Sequence, residues 1–182
     1  FSPATPTPAP VTPTIVPALP TPDTLGPISS ELEQDAKLFV SSYINADGSL
    51  AVIYDSNNNP IAQHSEAVGY ALLLLARMEA GENLTLRDGS TITAKELFDK
   101  VLGYADSHMS IPGTNLHKWR YGYGDSNLTS TNVAPDADVN RALALFIAGE
   151  RWGNQALTNE ALAILNDIKT KLTFNDNNGN NY

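Results

Sequence analysis

The sequence predicts an all-α domain laid out as a toroid of helical hairpins, and three observations predict it. Apolar residues recur at helical spacing in successive segments separated by long loops. These segments come in two alternating kinds, one apolar nearly all round and rich in small residues, the other with one apolar and one charged face. The apolar kind is followed each time by a glycine, Gly81 or Gly153, a residue that readily ends a helix.

Residues 1–28 stand apart from this pattern. Phe1 to Pro27 hold nine of the twelve prolines, interleaved with Thr and Ala, and their one charge is Asp23. Proline at this density cannot donate regular backbone hydrogen bonds and favours extended polyproline II, so the segment is expected to be a semi-rigid linker. Such a linker leaves room for further modules upstream. Residues 29–182 are then the folded portion.

Within that portion, "SSELEQDAKLFVSSYI" offers Ser30 as a cap and places Leu32, Ala36, Phe39, Val40 and Tyr43 on one helical face. "GSLAVIYD" reads as a short extended piece. Ser65 to Ala80 is the second helix, with Gly81 as its stop, and "TAKELFDKVLGYADSH" the third, with Leu97, Val101, Tyr104 and Ala105 on its apolar face. Pro135 to Trp152 is the fourth, ended by Gly153, and "NEALAILNDIKTKL" the fifth. The second and fourth carry small residues on most sides (Ala67, Gly69, Ala71, Ala76; Ala142, Ala144, Ala148), so they are expected inside, with the third and fifth outside. Helices joined as hairpins run antiparallel, so two inner helices separated by one outer helix run parallel. Their N-termini emerge at one end.

Composition narrows the functional classes. The 182 residues carry a net charge of −9 with no basic run or stripe, which argues against nucleic acid or an anionic membrane as partner. Purely apolar runs such as Ala71 to Ala76 are far short of the roughly 18 residues of a membrane span. With no cysteine, neither disulfides nor a thiolate metal site is available. The chain opens on Phe1 without a signal-peptide pattern and ends in a loop-like "FNDNNGNNY", so both ends read as cut.

The shared end of the inner helices gathers acids. The second helix begins Ser65-Glu66 and the fourth Pro135-Asp136-Ala137-Asp138, so Glu66 is expected to meet Asp136 and Asp138 on one rim. Each acid alone is explained by the helix dipole, which favours carboxylates in a first turn. Two features exceed that explanation: Asp136 and Asp138 both precede a hydrophobic helix body, and the intervening loop "NLHKWRYGYGDSN" brings Trp119, Tyr121 and Tyr123. An aromatic face beside acids suits the C–H face of a pyranose.

"SEAVGYALLLLA" resembles the Ser-Glu-Gly-x-x-Tyr motif of glycoside hydrolase family 8, and "VAPDADVNRALALFIAGERWG" is similar to that family's second motif, Ala-x-Asp-Gly/Ala-Asp followed by an alanine-rich helix and Trp-Gly. "YINADGSL" fits as well, and Ala67 departs from the usual glycine. The resemblance covers Ser30 to Leu172 and implies the first part of an (α/α)6 toroid. It further implies an exported or cell-surface bacterial enzyme that hydrolyses β-1,4-linked polysaccharide internally with inversion, cellulose or mixed-linkage β-glucan before xylan or chitosan. Glu66 then matches the general acid and Asp136 the aspartate that holds and distorts the sugar at the cleavage point. Trp119, Tyr121 and Asp138 are substrate-binding candidates, Asp138 in a supporting role. Inversion needs a protonated carboxyl on the leaving oxygen and a second carboxylate about 6.5–9.5 Å away that activates water. The resemblance puts that base beyond Tyr182, so the chain alone is expected to be inactive. A non-catalytic polysaccharide-binding module would keep the aromatic residues and need neither acid nor base.

Neither metal nor cofactor is called for. "DSNNNPIAQHSE", Asp55 to Glu66, fits a calcium loop at several positions but has Pro60 where a glycine turn is required. His64, His108 and His117 are too scattered for a ligand set, and His64 reads as a loop neighbour of Glu66. "NDNNGNN" reads as a turn, and the Asn83 and Asn127 sequons carry little weight.

Overall fold

The computed structural model describes residues 30–172; the linker expected at 1–28 and the turn near the C-terminus lie outside them. The helices are α1 (Ser30–Tyr43), α2 (Ser65–Ala76), α3 (Ala94–Met109), α4 (Pro135–Trp152) and α5 (Gln155–Asp167), the last running into a looser turn at Ile168–Leu172. Two small antiparallel sheets lie between them. One is ordered β1 (Ile53–Tyr54), β2 (Pro60–His64), β5 (Arg120–Gly122), and the other pairs β3 (Asn83–Thr85) with β4 (Thr91–Thr93).

The inner and outer layers form as the patterning predicts. The contact of α2 with α4 is the most extensive in the molecule, with α3 packed on α2 and α5 on α4. Leu72, Leu75, Phe98, Leu145 and Ile164 are fully buried among them. At about 25 cal/mol per Å² of apolar surface, this shared core is the main force holding the helices together.

Gly69 sets the approach of α2 to α4. A Cβ there would lie 3.0 Å from the Asn140 Cβ and 3.1 Å from the Ala137 carbonyl oxygen, so the helices close to a distance that glycine alone permits without adjustment. This contact joins the N-terminal halves of both helices. At the other end Arg151 reaches Glu79 at 3.1 Å. The inner helices are therefore parallel, as hairpin connectivity requires. Gly153 ends α4 in the left-handed region at φ 64°, which satisfies a last-turn carbonyl through its N–H.

Several boundaries differ from expectation. α2 stops at Ala76 and not Ala80, because Arg77 and Met78 turn back onto Leu74 and Leu75 carbonyls and the chain then enters the β3–β4 hairpin. Its cap is His64. Leu32 and Tyr43 of α1 are largely exposed while Ala36 and Val40 are buried, so the buried face is narrower than the pattern suggested. The inner helices are not covered on every side either: Tyr70, Val139 and Leu143 leave an open apolar stripe. Asp55 to Glu66 forms the β1–β2 hairpin and the start of α2. The Asp55 carboxylate accepts the Asn57 and Asn59 backbone N–H groups there, and no metal-ligand cluster exists among the described residues.

Candidate active site

The sheet carries the site together. β2 runs straight into α2, and its register with β5 pairs Ala62 with Gly122, Gln63 with Tyr121 and His64 with Arg120. One residue further along, the Ser65 N–H donates to the Trp119 carbonyl at 2.9 Å. The indole consequently lies beside the first turn of α2. Gln63 locks this strand from beneath: it is fully buried, accepts the Leu50 N–H at 2.8 Å and contacts the Met109 sulfur.

Glu66 has a neighbour at each oxygen, and a hydrogen bond at one. Trp119 Nε1 donates to Oε1 at 3.1 Å, and Oε2 lies 3.1 Å from His64 Nδ1. His64 also caps the helix, since its Nδ1 accepts the Ala67 N–H at 3.2 Å. The sequence reading of His64 as a loop neighbour of Glu66 places it beside the acid but not as the cap, a position where Ser, Thr, Asp and Asn are the usual residues. The signal was its position immediately before the Ser-Glu pair. Trp119 retains 41% exposure, and the Arg120 guanidinium lies 5.1 Å from its ring centroid. The ring is thus accessible at the rim, as a stacking residue must be.

The two aspartates of α4 separate. Asp136 is exposed in the first turn, with no hydrogen-bond partner among the described residues. Asp138 is only 1% exposed, which corrects its assignment as a sugar contact. Its carboxylate accepts the His117 backbone N–H at 3.2 Å and Arg141 Nη2 at 3.1 Å, so it ties the loop before β5 to α4. Desolvation pushes its pKa up to about 6, against the opposing pull of Arg141 and the His117 N–H. Arg141 Nη1 reaches both Asp106 at 3.1 Å and the buried His117 ring at 2.6 Å. Burial holds the His117 imidazole below its ordinary range, with Asp106 pulling the other way. A cavity of about 180 Å³ opens behind this cluster, lined by Asp106, Ser110, Thr114, Asn115, Arg141 and Glu160.

Tyr121 departs from the loop placement that the sequence suggested, while Tyr123 lies in the bend just after β5. Tyr121 lies in β5, half-buried among Tyr104, His108 and Tyr123, which makes it part of the support under the sheet. The Tyr123 hydroxyl donates to the Leu50 carbonyl, and burial raises its pKa. Of the aromatic candidates, Trp119 presents its ring at the acid.

The site thus holds an acid bonded by an indole, with an exposed aspartate in the first turn of the parallel helix. The sequence pattern of "Glycosyl hydrolases family 8" matches residues 29–180. The chain belongs to this family. The "Beta-glucanase" of Niallia circulans is 30% identical over 121 residues, 65% of this chain and 27% of that protein. The "Reducing end xylose-releasing exo-oligoxylanase" of Bifidobacterium adolescentis is 27% identical over 114 residues, 62% of this chain and 26% of that one. The solved endoglucanase from Komagataeibacter sucrofermentans superposes with a TM-score of 0.62 at 25% identity, over 79% of this chain and 40% of the other. The family 8 chain described here thus spans about a quarter of the curated relatives and 40% of the solved one. Its helical hairpins match the (α/α)6 toroid over that share.

Proposed function

We propose that this chain carries the acid side of a glycosidase site, and that the protein containing it hydrolyses β-1,4-linked polysaccharide internally with inversion. The observation that carries the reading is the Trp119–Glu66 hydrogen bond at the end of α2 that it shares with the first turn of α4, which carries Asp136. A sugar ring packed on the exposed Trp119 face would bring its glycosidic oxygen next to the Glu66 carboxyl. Glu66 would then protonate the leaving oxygen, while Asp136, with its carboxylate unengaged, would accept hydroxyls of the sugar on the other side of the bond. No carboxylate among the described residues is assigned to activating water, so the 182-residue chain by itself is expected to release no sugar.

Cellulose or mixed-linkage β-glucan is the proposed substrate, since family membership and a β-glucanase relative both favour β-glucans. The xylose-releasing relative keeps xylan as the alternative. The test is a panel of soluble β-glucan, xylan and chitosan, with the anomer of the first product read by NMR. The longer enzyme should turn over β-glucan fastest and release the α-anomer first. Release of the β-anomer first would exclude inversion. Export to the cell exterior is proposed on the same grounds, because such polymers do not enter cells.

A further inference from the structure

With Trp119 as the sugar platform beside Glu66, as proposed above, its ring must be held at a fixed tilt before the sugar arrives. Gly122 in β5 lets the short 3-10 turn Ser126–Leu128 lie directly on the strand: a Cβ at Gly122 would come within 2.6 Å of the Asp125 carbonyl oxygen and of the Leu128 Cβ. The Asp125 carboxylate braces that turn by accepting the Asn127 N–H at 2.8 Å, and the Ser130 N–H returns to the Arg120 carbonyl at 2.9 Å. The Leu128 carbonyl is thereby brought to Arg120, whose Nε–H donates to it at 2.6 Å. Pinned at this inner nitrogen, the guanidinium lies over the Trp119 indole, 5.1 Å from the ring centroid. A cation at that distance is attracted to the π face of the ring.

We infer that Arg120 is a positioning residue for Trp119, its guanidinium covering one face of the indole and leaving the opposite face to the pyranose. The hydrogen bond from Nε1 to Glu66 fixes only one edge of the indole, since the ring can still tilt about the N–H···O line. A charge held on one face removes that tilt. Without it the stacking geometry is one of several that the ring samples, and the sugar has to select it. Apparent affinity then falls by the fraction of molecules in the competent geometry, while the complex once formed is the same. Arg120 therefore acts on KM and not on kcat, although the ring it holds is bonded to the acid.

Two substitutions separate the charge from the hydrogen bond. Lys keeps a cation within reach of the ring; Gln places an amide nitrogen where Arg has Nε, and so keeps a donor for the Leu128 carbonyl without the charge. In the active enzyme containing this chain, assayed on soluble β-glucan, Arg120→Gln should raise KM about five- to tenfold with kcat within about twofold of wild type, the effect of ordering one side chain on binding. Arg120→Lys should keep KM within about twofold of wild type. An unchanged or lower KM in Arg120→Gln, a loss in Arg120→Lys as large as in Arg120→Gln, or a loss carried by kcat would overturn the inference. A second measurement needs neither sugar nor turnover. In enzyme labelled with ¹⁵N at tryptophan, the Trp119 indole N–H signal, assigned by its loss in Trp119→Phe, should broaden or shift in Arg120→Gln and stay near its wild-type position in Arg120→Lys. A raised KM with that signal unmoved would mean that Arg120 touches the sugar itself, and would also sink the inference. Wild-type enzyme that hydrolyses no β-glucan removes the glycosidase assignment instead, and the indole signal still decides whether Arg120 holds Trp119.

Discussion

The starts of α2 and α4 are built from the same parts and do opposite things with them. Both helices emerge at one rim with acids in the first turn, where the dipole favours a carboxylate. At α2 a side chain caps the helix and the acid is bonded by Trp119 at one oxygen, with His64 3.1 Å from the other. At α4 no side chain caps the helix, Pro135 occupies the first turn, and the acids divide into one exposed and one buried. Asp138 is consumed by Arg141 and the His117 backbone. The lesson is that first-turn acids are not equivalent even on paired helices. What surrounds each carboxylate, and not its position along the helix, separates chemistry from architecture.

The largest expected effect breaks the α2 side. Glu66→Gln keeps an oxygen for Trp119 and an amide for the His64 side, so the fold should persist with a melting temperature close to wild type. Turnover of soluble β-glucan by the longer enzyme should fall about a thousandfold, with binding of the polymer little changed. Unfolding in place of inactivation would return Glu66 to a capping role. The next effect belongs to α4 and has the opposite signature. Asp138→Ala removes one partner of a buried ion cluster, leaving Arg141 with only Asp106 as its carboxylate and the His117 N–H without an acceptor, so urea unfolding should lose about 3 kcal/mol. A variant as stable as wild type would mean that the cluster holds nothing together.

This contrast also marks how far the sequence could be read. The inner helices and their parallel direction, which puts the first turns carrying Glu66 and Asp136 at one end, were legible because hydrophobic periodicity and hairpin connectivity depend on local pattern. Pro135 and Gly153 bound α4 where helix chemistry says they should. The fate of Asp138 was not legible, because Arg141 is its neighbour one turn on, whereas the His117 N–H comes from a loop 21 residues away. Nor was that of Tyr121, whose burial follows from a β2–β5 register linking residues 58 apart. The β3–β4 hairpin had a signal in Asp88-Gly89 between apolar and threonine-rich arms, but a reading tuned to helices passes over a turn that short. His64 was missed for a chemical reason, that an imidazole can cap only in the tautomer its surroundings select.

The smallest effect sharpens the difference by pH. Burial raises Asp138 from 3.8 to about 6, so between about pH 4 and pH 6 the folded protein holds a proton that the unfolded chain has lost. By linkage its contribution to stability is complete below about pH 4 and is lost as pH rises through about 6. His117 acts oppositely: burial lowers its pKa below 6.5, so its neutral ring favours the folded state more as pH rises toward 6.5. The two slopes partly cancel in wild type, and a plain stability profile would hide both. Asp138→Asn removes the carboxyl and leaves His117, so the stability difference, wild type minus variant, isolates the first. From urea midpoints at pH 4 to 7, that difference should shrink as pH rises, most steeply around pH 5 to 6. A difference that grows with pH would mean that Arg141 outweighs desolvation at Asp138, and that the acid buried in α4 is an ordinary ion-pair carboxylate.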